Sequence, residues 1–319
     1  MLIVKSPFRI SLFGGSTDYE CFYKKYGSFI IGMPIDKYCY ITMRYRPRIF
    51  SKEYLCTYSK YELVKSIDEL QNPLIRETLR YFNVNKPIEL FSFSDVPSRT
   101  GLGGSSSYCV GMSYLIKKLK NEMIDKNEII KSAIKIEREI LNESGGIQDQ
   151  IWPFSRGLNS IEINTCGEFN VKPMSITEEF ECRIVDSMVL IYTRDQRIDG
   201  VVASSYKNNV DEKLEILKIA KEAHQLFLDE DLENIGKLLY KSWMNKSKIS
   251  DHVSNLKIKE IIDDVMNMGA YGAKLLGAGG GGFVLALCDP KSKQKIIEKY
   301  GEFILNVDID RTGISTIYQ

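Results

Sequence analysis

Glycine is gathered into four clusters along this chain: Gly14-Gly15, Gly101-Leu102-Gly103-Gly104, Gly145-Gly146, and a run from Gly277 to Gly282 broken only by Ala278. A glycine loses more backbone freedom on folding than any other residue, so clusters this dense need a structural reason. A tight turn needs one or two. Five glycines in six positions, as at 277–282, imply that a ligand or another loop approaches the backbone closely.

The second cluster sits in the segment PSRTGLGGSSS, residues 97–107, between a strand expected at Ile88–Phe93 and a helix expected from Ser105 to Leu119. In that context the unpaired N–H groups and serine hydroxyls of a helix N-terminus suit a phosphate. The alternative is a flexible loop with an N-capping serine. No G-K-[S/T] follows, so this is not a Walker A loop. The run 277–282 matches G-x-G-x-x-G literally, but a dinucleotide fingerprint needs a strand before it and a helix after it. Here the preceding residues read as helical and Phe283–Cys288 reads as a strand, which sets the dinucleotide reading aside.

Two further segments carry charge beside glycine. Asp149 follows Gly145-Gly146 amid Ile147, Ile151 and Trp152, either as a turn residue or as a carboxylate with a chemical role. Glu137 and Glu139 belong to a helix expected over Lys126–Leu141, where an exposed face would explain both. Arg9 falls in a strand over Phe8–Phe13, with Thr17-Asp18 in the turn beyond it. Its alternation with Ile10 also fits the solvent side of an edge strand.

The remaining pattern gives strands at Phe29–Tyr45 (broken near Pro34), Leu158–Ile163, Ser187–Thr193 and near Gly313–Tyr318. Helices follow from the stripe Ile216, Ile219, Ala220, Ala223, Leu226, Phe227 and from Leu232–Lys248. Strands in runs and helices in runs indicate an α+β chain, and 319 residues suffice for two domains, divided as 1–175 and 176–319.

Lys and Arg number 43 against 42 Asp and Glu, a net charge of +1, so no bulk field draws nucleic acid or an anionic membrane. No apolar run approaches the ~18 residues of a membrane span, and the N-terminus lacks a secretory h-region. Only two histidines, His224 and His252, leave no basis for multi-histidine metal sites or most nucleophile–His–acid triads. His224 reads as structural and His252 has no assigned role. Seven scattered cysteines without a C-x-x-C indicate free thiols in a reducing cytoplasm. The chemistry therefore rests on carboxylates, Lys/Arg, hydroxyls and glycine backbone.

Together SPFRISLFGGSTDY, PSRTGLGGSSS and KLLGAGGGGF resemble, in order, the three motifs of the GHMP small-molecule kinases. Within that family GGIQDQ, IYTRDQR and LLYKSWMNKSKISDHVSN are similar to the bacterial heptose 7-phosphate kinases. The resemblance implies an N-terminal α/β domain with a left-handed β-α-β unit, a C-terminal ferredoxin-like domain, and an active site between them. By position it implies Asp149 as catalytic base, paired with Arg9. Pro97, Gly101, Leu102, Gly103, Gly104, Ser105, Ser106 and Ser107 would hold the phosphates of ATP. Ser105 and Glu137 would ligate Mg²⁺, with Glu139 as the fallback. Gly15, Ser16, Thr17, Asp18, Gly279 and Gly280 would meet the substrate, and Arg197 its distal phosphate.

The implied reaction is ATP-dependent phosphorylation of the C1 hydroxyl of a sugar phosphate, D-glycero-D-manno-heptose 7-phosphate. An unphosphorylated sugar such as fucose or galactose, or a non-catalytic sensing role, are the alternatives. The expected partners are ATP and a small sugar phosphate, with no nucleic acid or membrane. The location is cytoplasmic, and a homodimer is compatible with the reading.

Overall fold

β1 (Leu2–Phe13) and β2 (Ser28–Tyr45) pair antiparallel along most of their length and form the spine of the first sheet. A computed structural model describes residues 1–47, 49, 53–195, 209–250 and 252–318. Between the two strands lies the short helix α1 (Glu20–Tyr26). β2 serves two neighbours in succession: residues 28–32 pair with β6 (Asn159–Ile163) and residues 39–45 with β5 (Ile88–Ser94). Pro34 falls between these two stretches, where neither neighbour needs its missing N–H, and so the strand runs on unbroken. β3 (Tyr54–Thr57) pairs parallel with β5 and antiparallel with β4 (Tyr61–Val64), α2 (Pro73–Tyr81) lies between β4 and β5, and β7 (Phe169–Pro173) pairs with β6.

α3 (Gly104–Leu119) begins at Gly103, whose left-handed backbone (φ 77°) turns the chain from the glycine loop into the helix. Its buried face carries Cys109, Val110, Met112, Leu115 and Ile116 against the first sheet. α4 covers Lys126–Ile134 and continues as a π-helical turn over Lys135–Ile140, so the helix expected over Lys126–Leu141 is real but not regular. π turns of this kind recur where a side chain is re-aimed for function. This one carries Glu137 inward, fully buried, and leaves Glu139 exposed.

The second sheet follows α5 (Glu178–Ser187) and comprises β8 (Met188–Tyr192), β9 (Gly272–Leu275), β10 (Phe283–Leu287) and β11 (Ile304–Leu305). Its antiparallel order is β11-β8-β10-β9. Counting its own strands that order is 4-1-3-2, the ferredoxin-like arrangement, with α6 (Val210–Leu228), α7 (Leu232–Ser247), α8 (Leu256–Asn267) and α9 (Pro290–Tyr300) in its connections. β10 is buried throughout because its alternate side chains enter two cores. Phe283, Leu285 and Leu287 join the core shared with the first sheet, while Val284, Ala286 and Cys288 join the core under α8.

One expectation changes here. The residues before the 277–282 glycines are a strand, β9, not a helix: Ala-Lys-Leu-Leu favours helix locally, but pairing with β10 decides otherwise. The dinucleotide reading still fails, since a strand and not a helix follows. The last strand, β12 (Ser315–Tyr318), returns to pair with β1, so the end of the chain completes the first sheet.

Candidate active site

Arg9 pairs with Pro34 of β2, beyond the Ile3–Lys5 stretch that β12 covers, and its side chain is buried rather than on a solvent face. The guanidinium grips Asp149 with two parallel bonds, Nε to Oδ1 and Nη2 to Oδ2, each 2.8 Å. Its third corner, Nη1, donates to the carbonyl of Gly101 at 2.6 Å, and the Arg9 backbone N–H donates to Leu102 at 3.0 Å. One arginine thus ties the acidic loop after the π turn to the glycine loop before α3. The Asp149 side chain keeps 25% of its surface exposed against 6% for Arg9, so the carboxylate is the member of the pair open to a ligand.

The glycine clusters meet in pairs. A Cβ on Gly277 would lie 2.5 Å from the Cα of Gly101, and one on Gly282 would lie 2.2 Å from the carbonyl of Thr100. The run at 277–282 therefore serves close approach to another loop, the phosphate-type loop itself. Backbone bonds tie it further: Gly280 N–H donates to Val253 and Gly282 N–H to Asp195, both at 3.0 Å. Gly279 packs against Val253 as well, which gives Gly279 and Gly280 a packing role on the described contacts. On the other side, a Cβ on Gly146 would overlap the Asp18 carboxylate at 1.8 Å.

Asp18 is buried and accepts from the backbone N–H groups of Ser16 (3.2 Å) and Gln148 (3.1 Å), joining the turn after β1 to the Asp149 loop. Burial, and then the nearby Asp149 charge, push its carboxyl above the ordinary range. The Thr17 hydroxyl is committed to Gly14 in the same turn and to Ser28 at the start of β2, and Gly15 lies beside Gln148. These residues build the turn; Asp18 and Asp149 bring two carboxylates to one place.

In the glycine loop Leu102 is buried, Pro97 is exposed, and Thr100 Oγ1 donates to Pro97. The three serines differ. Ser105 is exposed in the first turn of α3. Ser107 is buried, with its hydroxyl bonded to Ser6 and Pro7 of β1, so it anchors the helix and has no side chain free for a phosphate. Ser106 is also buried and accepts from Gln150 Nε2 at 3.1 Å, and the same nitrogen donates to Glu137 Oε2 at 2.5 Å. Glu137 Oε1 and Gln150 Oε1 are buried with no partner among the described residues. A carboxylate oxygen left open beside serine hydroxyls at a helix N-terminus suits a hard cation completed by phosphate oxygens. The residues fit the expected divalent ion. No cluster of three or more acidic, histidine or cysteine side chains exists among the described residues, so protein groups alone do not cage it.

Three residues that the sequence reading did not assign belong to this neighbourhood. Gln150 bridges Ser106 and Glu137, Lys246 of α7 donates to the carbonyl of Gly277, and Lys274 of β9 donates to Ser11 (3.1 Å) and Leu12 (2.7 Å) of β1. Burial, then the charges of Lys246 and Arg9, hold the Lys274 amine well below the usual lysine range. A lone lysine in the apolar run before the glycines was the available signal. Arg197 lies outside the described residues. His224 packs edge-on against Phe29 beside a cavity of about 490 Å³ that shares no residue with the Arg9–Asp149 pair.

Residues 64–157 match the GHMP kinases N terminal domain and residues 221–304 the GHMP kinases C terminal domain. The chain is 31% identical to the D-glycero-alpha-D-manno-heptose 7-phosphate kinase of Campylobacter jejuni over 92% of its own length and 91% of the relative's. It is 25% identical to the galactokinase of Thermotoga petrophila, with 93% of each covered. Among solved structures, a D-glycero-D-manno-heptose 1-phosphate kinase from Bacteroides thetaiotaomicron superposes with a TM-score of 0.83 at 22% identity, covering 100% of both chains, a likeness of fold. With both sheets, both domain matches and a near full-length relative in agreement, the chain belongs to the GHMP kinases, ATP-dependent phosphotransferases that generally work with a divalent cation.

Proposed function

We propose that this enzyme transfers the γ-phosphoryl group of ATP to the C1 hydroxyl of a sugar phosphate, D-glycero-D-manno-heptose 7-phosphate, giving the 1,7-bisphosphate. The observation that carries the chemistry is the two-pronged Arg9–Asp149 pair, anchored on the glycine loop at Gly101. The choice of acceptor is supported by the 31% identity to the Campylobacter heptose 7-phosphate kinase. A cytoplasmic location belongs to the same reading, supported by seven free cysteines.

In this reading the glycine loop and the first turn of α3 receive the triphosphate through backbone N–H groups. The sugar hydroxyl oxygen attacks the γ-phosphorus as the bond to the β–γ bridging oxygen breaks. ADP leaves, and the hydroxyl proton passes to Asp149. Arg9 fixes the carboxylate so that its exposed edge faces the acceptor, which is positioning rather than covalent work. Ser105 or Ser106, with Glu137, would hold the divalent cation, Mg²⁺ in this reading, which when bound neutralises charge on the phosphates. Asp18, beside Asp149, is suited to a sugar hydroxyl.

An unphosphorylated sugar is the second reading, favoured by the similarity to galactokinase. ADP release across a panel of heptose 7-phosphate, other sugar phosphates, galactose and fucose separates the two. The heptose phosphate is expected to show a kcat/KM at least tenfold above the free sugars, about 1.4 kcal/mol of discrimination. Preference for galactose or fucose overturns the assignment, and no turnover of any sugar returns the chain to a sensing role.

A further inference from the structure

Gln150 stands next to Asp149 in sequence, yet the two side chains serve opposite sides of one turn. Asp149 meets Arg9 and stays partly open, whereas Gln150 is fully buried. Its amide nitrogen divides two hydrogens between Ser106 Oγ, on the first turn of α3, and Glu137 Oε2, on the π turn. Glu137 is fully buried, and among the described residues it forms no ion pair. The neighbouring Arg138 turns away to the carbonyls of Gly146 and Glu143. A buried carboxylate with one oxygen on a neutral amide and the other open is costly unless a cation completes it. A carboxamide suits this position: it pins one carboxylate oxygen without supplying the positive charge that would displace a metal ion. A lysine or arginine there would neutralise Glu137 outright.

We propose that Gln150 is a positioning residue that orients the Glu137 carboxylate and the Ser106 hydroxyl for the divalent cation accompanying the nucleotide. This rests on the kinase reading of the site. Because residues 149 and 150 share one turn, a cation drawn to Glu137 also fixes the backbone from which Asp149 reaches Arg9. The amide thus links metal occupancy to the placement of the proton acceptor, as outer hydrogen bonds do for other metal ligands.

The test measures Mn²⁺ binding by electron paramagnetic resonance in the presence of a non-hydrolysable ATP analogue, with wild type, Gln150→Leu and Gln150→Asn. Leucine removes the donor, and asparagine keeps an amide too short to span both partners. Both are expected to weaken Mn²⁺ binding about tenfold or more, to leave metal-free analogue binding within about twofold, and to raise the Mg²⁺ concentration needed for half-maximal activity while the KM for sugar changes little. Asparagine guards against a leucine variant that does not fold, checked by its thermal transition. If wild type binds no Mn²⁺ with the analogue, the kinase reading fails. If wild type binds it and both variants bind equally well, the role of Gln150 fails. Loss of metal-free analogue binding along with Mn²⁺ would make Gln150 a structural support of the loop and overturn the proposal.

Discussion

Arg9 directs its three guanidinium nitrogens to two places, Asp149 and Gly101, and this decides what Asp149 can do. The bidentate grip leaves the carboxylate little freedom, and in the proposed reaction its exposed edge would be held for the acceptor hydroxyl. Asp149→Asn is expected to lower kcat by about 10²–10⁴, the usual value of general-base help, with nucleotide-analogue binding kept within about twofold. A near-wild-type kcat would remove Asp149 from proton transfer. Arg197 belongs to the proposed substrate reading: Arg197→Ala should raise the KM for a sugar phosphate roughly tenfold, the loss of a charge-assisted contact, and spare an unphosphorylated sugar. Equal effects on both acceptors would reject a phosphate-binding role. At this scale Arg9 and Asp149 were singled out only through the motif resemblance; alone they read equally as an edge-strand arginine and a turn aspartate, because their pairing joins residues 140 apart in sequence. Gln150 was not: a neutral amide announces nothing until Glu137 and Ser106 are brought to it from two other elements.

At the scale of elements, the feature that matters is the contact between two glycine loops. Gly277 has a left-handed backbone (φ 74°) and its missing Cβ is the space in which Gly101 sits. Gly277→Ala should strain both loops, costing about 1–3 kcal/mol in unfolding free energy, and should weaken nucleotide-analogue binding as the Thr100–Gly103 backbone shifts. Unchanged stability and affinity would show that the contact is loose. The density of glycine in the run made a close approach readable, but not its partner. Likewise the helix Lys126–Leu141 was readable by its apolar spacing, while the π turn at Lys135–Ile140 was not: Ile140 continues the spacing of a regular helix in sequence, yet in the structure it is exposed and Ile136 is buried. The turn is what sends Glu137 inward and Glu139 outward.

In the whole molecule the two sheets are joined through polar as well as apolar contacts. Lys274 reaches from β9 of the second sheet to the carbonyls of Ser11 and Leu12 at the end of β1, fully inside the protein. Its lowered pKa means that, between that value and the ordinary ~10.4 of an unfolded lysine, the unfolded chain binds more protons than the folded one. Stability then rises with pH across this window. Denaturant unfolding of wild type and Lys274→Met from neutral pH to about pH 10 should show wild type gaining on the variant as pH increases. A constant difference would mean that Lys274 titrates like an exposed amine. From its residues alone the chain narrowed its chemistry: few histidines, near-zero net charge and clustered glycines leave carboxylates, Lys/Arg, hydroxyls and glycine backbone. Those are local properties of composition and motif. Which loops touch, which serine stays open, and which carboxylate is buried with an unpartnered oxygen were decided only by the tertiary structure. Each depends on residues far apart in sequence that are brought together by strand pairing and core packing.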